Sequence, residues 1–215
     1  MVYTLPSGLV GSSQAVSYAG PAVAVPDNVQ AGVNIPLAIS GIQGAVADLN
    51  FRFDAAAEGV CDASPENANS AMDHTYLGDL EFKLTSPAGT TVTLMSHRAG
   101  TRENICTTVL DDDGGFPSLS TVESAAGQVL SGNFAPDSPL SAFDGQDPNG
   151  TWVLNVSDQA GIDTGSMRRF SLLISPRICS SCAASNPTPT PTPTPTPVVT
   201  PTPSPTPQIL VTLSG

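Results

Sequence analysis

The chain has 215 residues, with 19 acidic side chains against 7 basic ones and a net charge of −12. So acidic a field repels phosphate backbones and anionic lipid head groups, which excludes nucleic-acid binding and polybasic membrane attachment. No run approaches the 18 apolar residues of a membrane-crossing helix, so no membrane insertion is expected, and the first residues lack the basic and apolar regions of a secretory signal.

Strand patterns dominate from the N-terminal side onward. Leu49, Phe51 and Phe53 alternate with polar neighbours, and so do Leu80, Phe82 and Leu84. Val92 and Leu94 follow, then Trp152, Leu154 and Val156, and finally Phe170, Leu172 and Ile174. Apolar residues at every second position line one face of a strand, which is the pattern of half-buried antiparallel sheets packed face to face. Turn residues separate the runs at Pro26-Asp27-Asn28, Asp147-Pro148-Asn149-Gly150 and Asp163-Thr164-Gly165. Ser86-Pro87-Ala88-Gly89-Thr90 joins two strands tightly enough to predict a hairpin over residues 79–95. The one stretch worth testing as a helix, Ser120 to Leu130, has no apolar stripe and is interrupted by Gly127. The expectation is an all-β, jelly-roll-like antiparallel β-sandwich.

Beyond the sandwich the composition changes. Ten of the 21 prolines lie between Pro187 and Pro207, mostly alternating with threonine or serine, and all charged residues fall between Asp27 and Arg177. Alternating proline removes backbone donors and enforces extended, polyproline-like chain, so this tail is expected to be a disordered spacer of about 65 Å at most. The division is therefore a lead-in (1–21), one β domain (22–182), a Pro/Thr-rich linker (183–207) and a C-terminal segment (208–215) whose β-like composition is compatible with the start of another module.

Four cysteines, Cys61, Cys106, Cys179 and Cys182, form an even set in an acidic chain, which favours disulfides and an oxidising compartment over a zinc site. A bridge between Cys61 and Cys106 would close a loop of about 45 residues and contribute roughly 3–4 kcal/mol. Cys179 and Cys182 would then pair locally; the alternative, a redox Cys-x-x-Cys, lacks the βαβ context it needs.

Asp73-His74-Thr75-Tyr76-Leu77-Gly78-Asp79-Leu80, followed by Leu84-Thr85-Ser86-Pro87-Ala88-Gly89-Thr90, resembles the heart of the P domain (Homo B domain) of kexin- and furin-type proprotein convertases. Four further stretches match in order. Val25-Pro26-Asp27-Asn28 resembles the opening strand, Pro139 to Gly145 is similar to the Leu-x-x-Phe-x-Gly segment, Asn149 to Asp158 to the Asn-Gly-Thr-Trp strand, and Asp163 to Leu172 to the closing strand. Phe170 stands where that family usually has tryptophan, and the cysteine-bearing loop with Asp111-Asp112-Asp113 looks like bacterial secreted members. The resemblance implies a jelly-roll sandwich without catalysis of its own, a secreted or cell-surface location, and a role in stabilising or assisting an attached subtilisin-like peptidase or another extracellular domain of the same parent chain. A monomer is expected. The other reading is an extracellular binding or adhesion module, for protein or carbohydrate, on a Pro/Thr stalk.

Chemistry at the residue level supports no enzyme. Only two histidines exist, and no serine lies in a Gly-x-Ser-x-Gly elbow. His74 is read as a loop brace and His97 as an exposed strand-end residue. Trp152 alternates with Leu154 and Val156, which makes it core rather than a sugar platform. The sharper hypothesis is structural Ca²⁺, because the acids comprise fourteen Asp and five Glu, and Asp is a turn residue and a hard oxygen ligand. Asp79, Asp158 and Asp163 form one candidate ligand group; Asp111, Asp112 and Asp113 a second; Asp144 and Asp147 a third. The competing reading for Asp79 and Asp158 is turn capping through backbone N–H groups.

Overall fold

The alternating segments do become strands. A computed structural model of the chain describes residues 9–178. Residues 1–8, Cys179, Cys182, the Pro/Thr-rich linker and the C-terminal segment lie outside the described residues. Thirteen strands run in order: β1 (Leu9–Val10), β2 (Gln14–Ser17), β3 (Val23–Val25), β4 (Val29–Ile39), β5 (Ala45–Phe53), β6 (Met72–His74), β7 (Leu80–Thr85), β8 (Thr91–Ser96), β9 (Ile105–Leu110), β10 (Leu130–Phe134), β11 (Gly150–Asp158), β12 (Gly165–Met167) and β13 (Phe170–Ile178). They form a four-stranded sheet in the order β4-β11-β7-β8 and a larger one in the order β1-β13-β5-β9-β6-β12-β3, with β2 beside β13 and β10 beside β9.

Period-two burial makes the two inner faces. Ile35, Leu37, Phe82, Leu84, Trp152 and Leu154 come from the small sheet, and Leu49, Phe51, Phe53, Phe170, Leu172 and Ile174 from the large one; all are buried. Phe53 of β5 meets Phe82 of β7 edge to face at 5.2 Å between centroids, so the layers touch through aromatic rings. Phe170 stacks on Phe51 at 5.6 Å and so supplies the flat face expected of an aromatic at that position. Trp152 is fully buried and satisfies its indole N–H on the Pro148 carbonyl at 2.8 Å, the role its spacing predicts.

The predicted hairpin is β7–β8, paired from Glu81↔Ser96 to Thr85↔Thr91. Its turn closes with Ser86 N–H donating to the Thr90 carbonyl at 2.9 Å, and Gly89 takes the left-handed φ of 87° that the tight turn requires. Pro36 sits in β4, an edge of the small sheet, where proline is tolerated because only one side needs donors.

Two features were not foreseen. Residues 9–17, within the stretch read as lead-in, contribute β1 and β2 along β13 (Leu9↔Ile178 and Val16↔Leu172). In an otherwise antiparallel assembly β10 runs parallel to β9. Parallel neighbours need a long crossover, and the connection over residues 111–129 supplies it.

Gly165 shows why a motif glycine stands at the start of β12. It is paired with Val25 on one side and His74 on the other, and a Cβ there would come within 1.7 Å of the Asp73 carbonyl oxygen. Gly165→Ala must push β6 away from β12, and a loss of about 3 kcal/mol is expected in denaturant unfolding. A midpoint unchanged from wild type would show that the strands yield without cost.

Candidate functional site

Three of the predicted aspartates meet at one end of the sandwich because the strand ends bring them there. Asp79 closes a 3₁₀ turn (Leu77–Asp79) just before β7, Asp158 is the last residue of β11, and Asp163 lies in the loop between β11 and β12. Register places Asp158 opposite Leu80, one residue beyond Asp79. The Asp79 carboxyl is held above the usual carboxylate range, first by burial and then by the charges of Asp158 and Asp163, with His74 and His97 opposing. Among the described residues its side chain has no hydrogen-bond partner, whereas its neighbours are engaged. Thr75 Oγ1 donates to Asp163 Oδ1 at 2.6 Å, and the Ala160 N–H donates to Asp158 Oδ1 at 3.1 Å.

His74 stands behind this acid group as a brace. Its ring and the Asp158 carboxylate are both 0% exposed, with Nε2 3.2 Å from Asp158 Oδ2. Nδ1 lies 2.9 Å from the Tyr76 carbonyl oxygen and 3.2 Å from the Tyr76 backbone nitrogen, so both ring nitrogens have polar partners. Neither side chain opens to solvent, so the pair fixes the loop and has no access to a substrate. His97 is exposed, with Nδ1 3.0 Å from the Gly78 carbonyl.

A second acid group forms at the β5–β9 region from residues that were read as two separate candidates. Asp111, Asp112 and Asp113 follow β9, and Asp144 follows the 3₁₀ turn Leu140–Phe143. The turn is tied to the strands: the Ser141 N–H donates to Asp112 Oδ2 at 3.0 Å, and the Gly145 N–H to the Val46 carbonyl at 2.8 Å. Asp48 of β5 joins them. Its pKa is raised by burial and then by Asp111, and that of Asp144 by burial and then by Asp112. Asp113 is raised by its side-chain hydrogen bond to Asp111 and next by Asp48. Asp147 stays apart; the Asn149 N–H donates to its Oδ1 at 2.9 Å and holds its pKa low.

Sequence reasoning missed Asp48 and Asp27. Asp48 alternates with Leu49 and so reads as an ordinary solvent-face residue. Asp27 accepts from the Ile162 N–H at 3.3 Å and ties the 159–164 loop to the start of β4, a contact with no local signal. The Cys61–Cys106 disulfide is present and joins the 54–71 loop to β9.

No group of three or more His, Cys, Asp or Glu side chains among the described residues encloses a common metal position. No helix there is long and apolar enough to cross a membrane. The fold so defined is an all-β sandwich in which the buried histidine braces a loop rather than facing a cleft.

The sequence pattern of the proprotein convertase P-domain family matches residues 67–174, half of the chain. The chain belongs to that family, whose members are non-catalytic accessory domains of proteases. No curated protein matches it. Among solved structures it is similar to the serine protease of Aeromonas sobria, seen in complex with the chaperone at 18% identity with a TM-score of 0.45 over 83% of this chain. A second structure of a serine protease of Aeromonas sobria gives 18% identity and a TM-score of 0.44 over 81%. The present chain spans only 28% of the length of either.

Proposed function

We propose that this domain is a calcium-stabilised accessory module of a larger secreted protein, acting on an adjoining subtilisin-like serine peptidase of the same chain by stabilising or assisting it. Membership of the P-domain family carries the accessory role. The disulfide supports an extracytoplasmic location, since such bonds persist in oxidising compartments. The coding sequence on the N-terminal side tests the partner: a peptidase domain with a Ser/His/Asp set is expected there, whereas adhesive β modules would replace this reading with a binding or adhesion role.

The calcium reading rests on Asp79, an unpartnered carboxylate held beside Asp158 and Asp163. A hard cation takes six to eight oxygens from carboxylates, backbone carbonyls and water, so a site need not be closed by three acidic side chains. Asp79 and Asp163 would be its principal carboxylates, with Asp158 fixed behind them by His74; the Asp48–Asp111–Asp112–Asp144 group is the second candidate. Bound there, the ion would offset the burial and the neighbouring charges of Asp158 and Asp163 that together raise the Asp79 pKa.

The penalty on the Asp79 charge has a defined sign. A carboxyl whose folded pKa lies above its unfolded value costs stability above the folded pKa and recovers it as pH falls. In EDTA, Asp79→Asn is therefore expected to melt no lower than wild type, because it removes a penalised charge. In calcium at about a hundredfold excess over Kd, wild type is expected to gain about 2.7 kcal/mol, or roughly 5–10 °C in Tm. Asp79→Asn and Asp163→Asn should lose that gain, and Asp147→Asn should keep it. An identical calorimetric Tm for wild type with and without calcium would sink the proposal.

A further inference from the structure

Of the six arginines in this acidic chain, two adjacent ones form the corner between β12 and β13. The corner is fixed from behind, because the N–H groups of Arg168 and Arg169 both donate to the Ala71 carbonyl, at 2.8 and 3.2 Å. Both residues line a cavity of about 460 Å³ whose other walls are the 18–22 segment, from Tyr18 to Ala22, and Ala68. That volume is within the range of roughly 300–1,000 Å³ typical of small-ligand sites. Tyr18 is itself immobilised, stacked on Phe170 at 5.3 Å with its hydroxyl donating to the Pro21 carbonyl at 3.0 Å.

The two guanidinium groups are differently spent. Arg168 donates to Asp73 Oδ2 at 3.0 Å, which balances its charge, yet its Nε–H is buried without an acceptor. Arg169 has no carboxylate partner among the described residues; its Nη1 donates to the Ala68 carbonyl at 2.9 Å and more weakly to that of Ser70 at 3.4 Å. The cavity therefore carries one uncompensated positive charge and planar guanidinium donors beside small apolar walls. Guanidinium geometry matches a carboxylate, and a single surplus charge suits a monoanion better than a phosphate dianion.

We propose that this cavity is a carboxylate-binding site, which takes an acidic side chain presented by a neighbouring polypeptide. The chain's overall negative charge opposes long-range attraction of such a partner, so recognition acts at contact distance and weakens as salt rises.

The test is a titration of ¹⁵N-labelled protein with N-acetylglutamate N-methylamide, its glutamine counterpart and inorganic phosphate, following the arginine Nε–H resonances. The glutamate probe is expected to give saturable shifts at Arg168 and Arg169, and the other two none at equal concentration. Arg169→Gln should weaken the glutamate probe roughly tenfold, whereas Arg177→Gln at the exposed end of β13 should change it by less than about twofold. The probe comparison on wild type stands even where a variant is poorly folded. Equal shifts with the glutamine probe, a preference for phosphate, or a folded Arg169→Gln that binds as wild type would each overturn the assignment.

Discussion

Replacing Cys61 and Cys106 together with alanine should destabilise the domain by about 4 kcal/mol. The bridge closes a loop with a sequence separation of 45, and cross-linking a loop of that length removes about that much conformational freedom from the unfolded chain. In a domain of this size the corresponding fall in Tm is roughly 8–16 °C. The bond also has a native-state task. It anchors a loop whose internal hydrogen bonds are mostly local, such as Asn67 Nδ2 to Asp62 Oδ1 at 2.7 Å and Asn69 Nδ2 to the Val60 carbonyl at 3.0 Å. Longer ties survive without it: Asn104 Nδ2 donates to the carbonyls of Asp62 and Ser64, both at 2.8 Å, and Arg169 Nη1 to that of Ala68 at 2.9 Å. The double variant should fold, with the 55–70 segment becoming the first site of limited proteolysis. A calorimetric Tm within about 2 °C of wild type would contradict a staple of this size.

His74→Ala is expected to cost about 3–5 kcal/mol, because truncating one member of a fully buried pair leaves the other charged and unmatched. Asp158 would retain only the Ala160 N–H, and the Tyr76 backbone would lose its contact with Nδ1. The effect should be coupled: Asp158→Asn in the His74→Ala background removes the stranded charge and should recover part of the loss. His74→Gln, which can place an amide N–H toward Asp158, should be milder than alanine. Were the double variant as unstable as the sum of its parts, the pair would not be acting as a unit.

The sandwich was legible where strands are long enough for a period of two to show. β5, β7, β8, β11 and β13 each carry two or three alternating apolar residues, and each is buried as that alternation requires. β3, β6 and β12 have three residues each, too few for any periodicity. β10 exposes its three central residues, so its apolar signal is confined to Leu130 and Phe134. β1 and β2 are mostly exposed along β13 and carry almost no burial signal.

The site divides in the same way. The structural role of His74 could be read from its place ahead of a strand inside the P-domain-like motif, and Asp79, Asp158 and Asp163 stand where strand ends should converge. The joining of Asp144 to Asp111 and Asp112 could not be read, because it depends on the Leu140–Phe143 turn folding back against β5. Asp48 was hidden by its own strand alternation. The corner arginines gave no signal, since their significance comes from Tyr18, about 150 positions away in sequence yet brought close by the β2–β13 pairing.

The position of β13 also sets the order in which the molecule can be completed. This last described strand does not add to an edge; it lies between β5 on one side and β1 and β2 on the other. During synthesis β1 and β2 emerge long before their partner strand, and β5, paired only with β9, waits with its other edge bare until Phe170 and the residues after it are made. Pairings between such distant segments are slow to form, and unpaired edges recruit other chains. A polypeptide stopped short of Phe170 would thus lose more than its last strand: it would expose Phe51 and Phe53 together with an open template for aggregation.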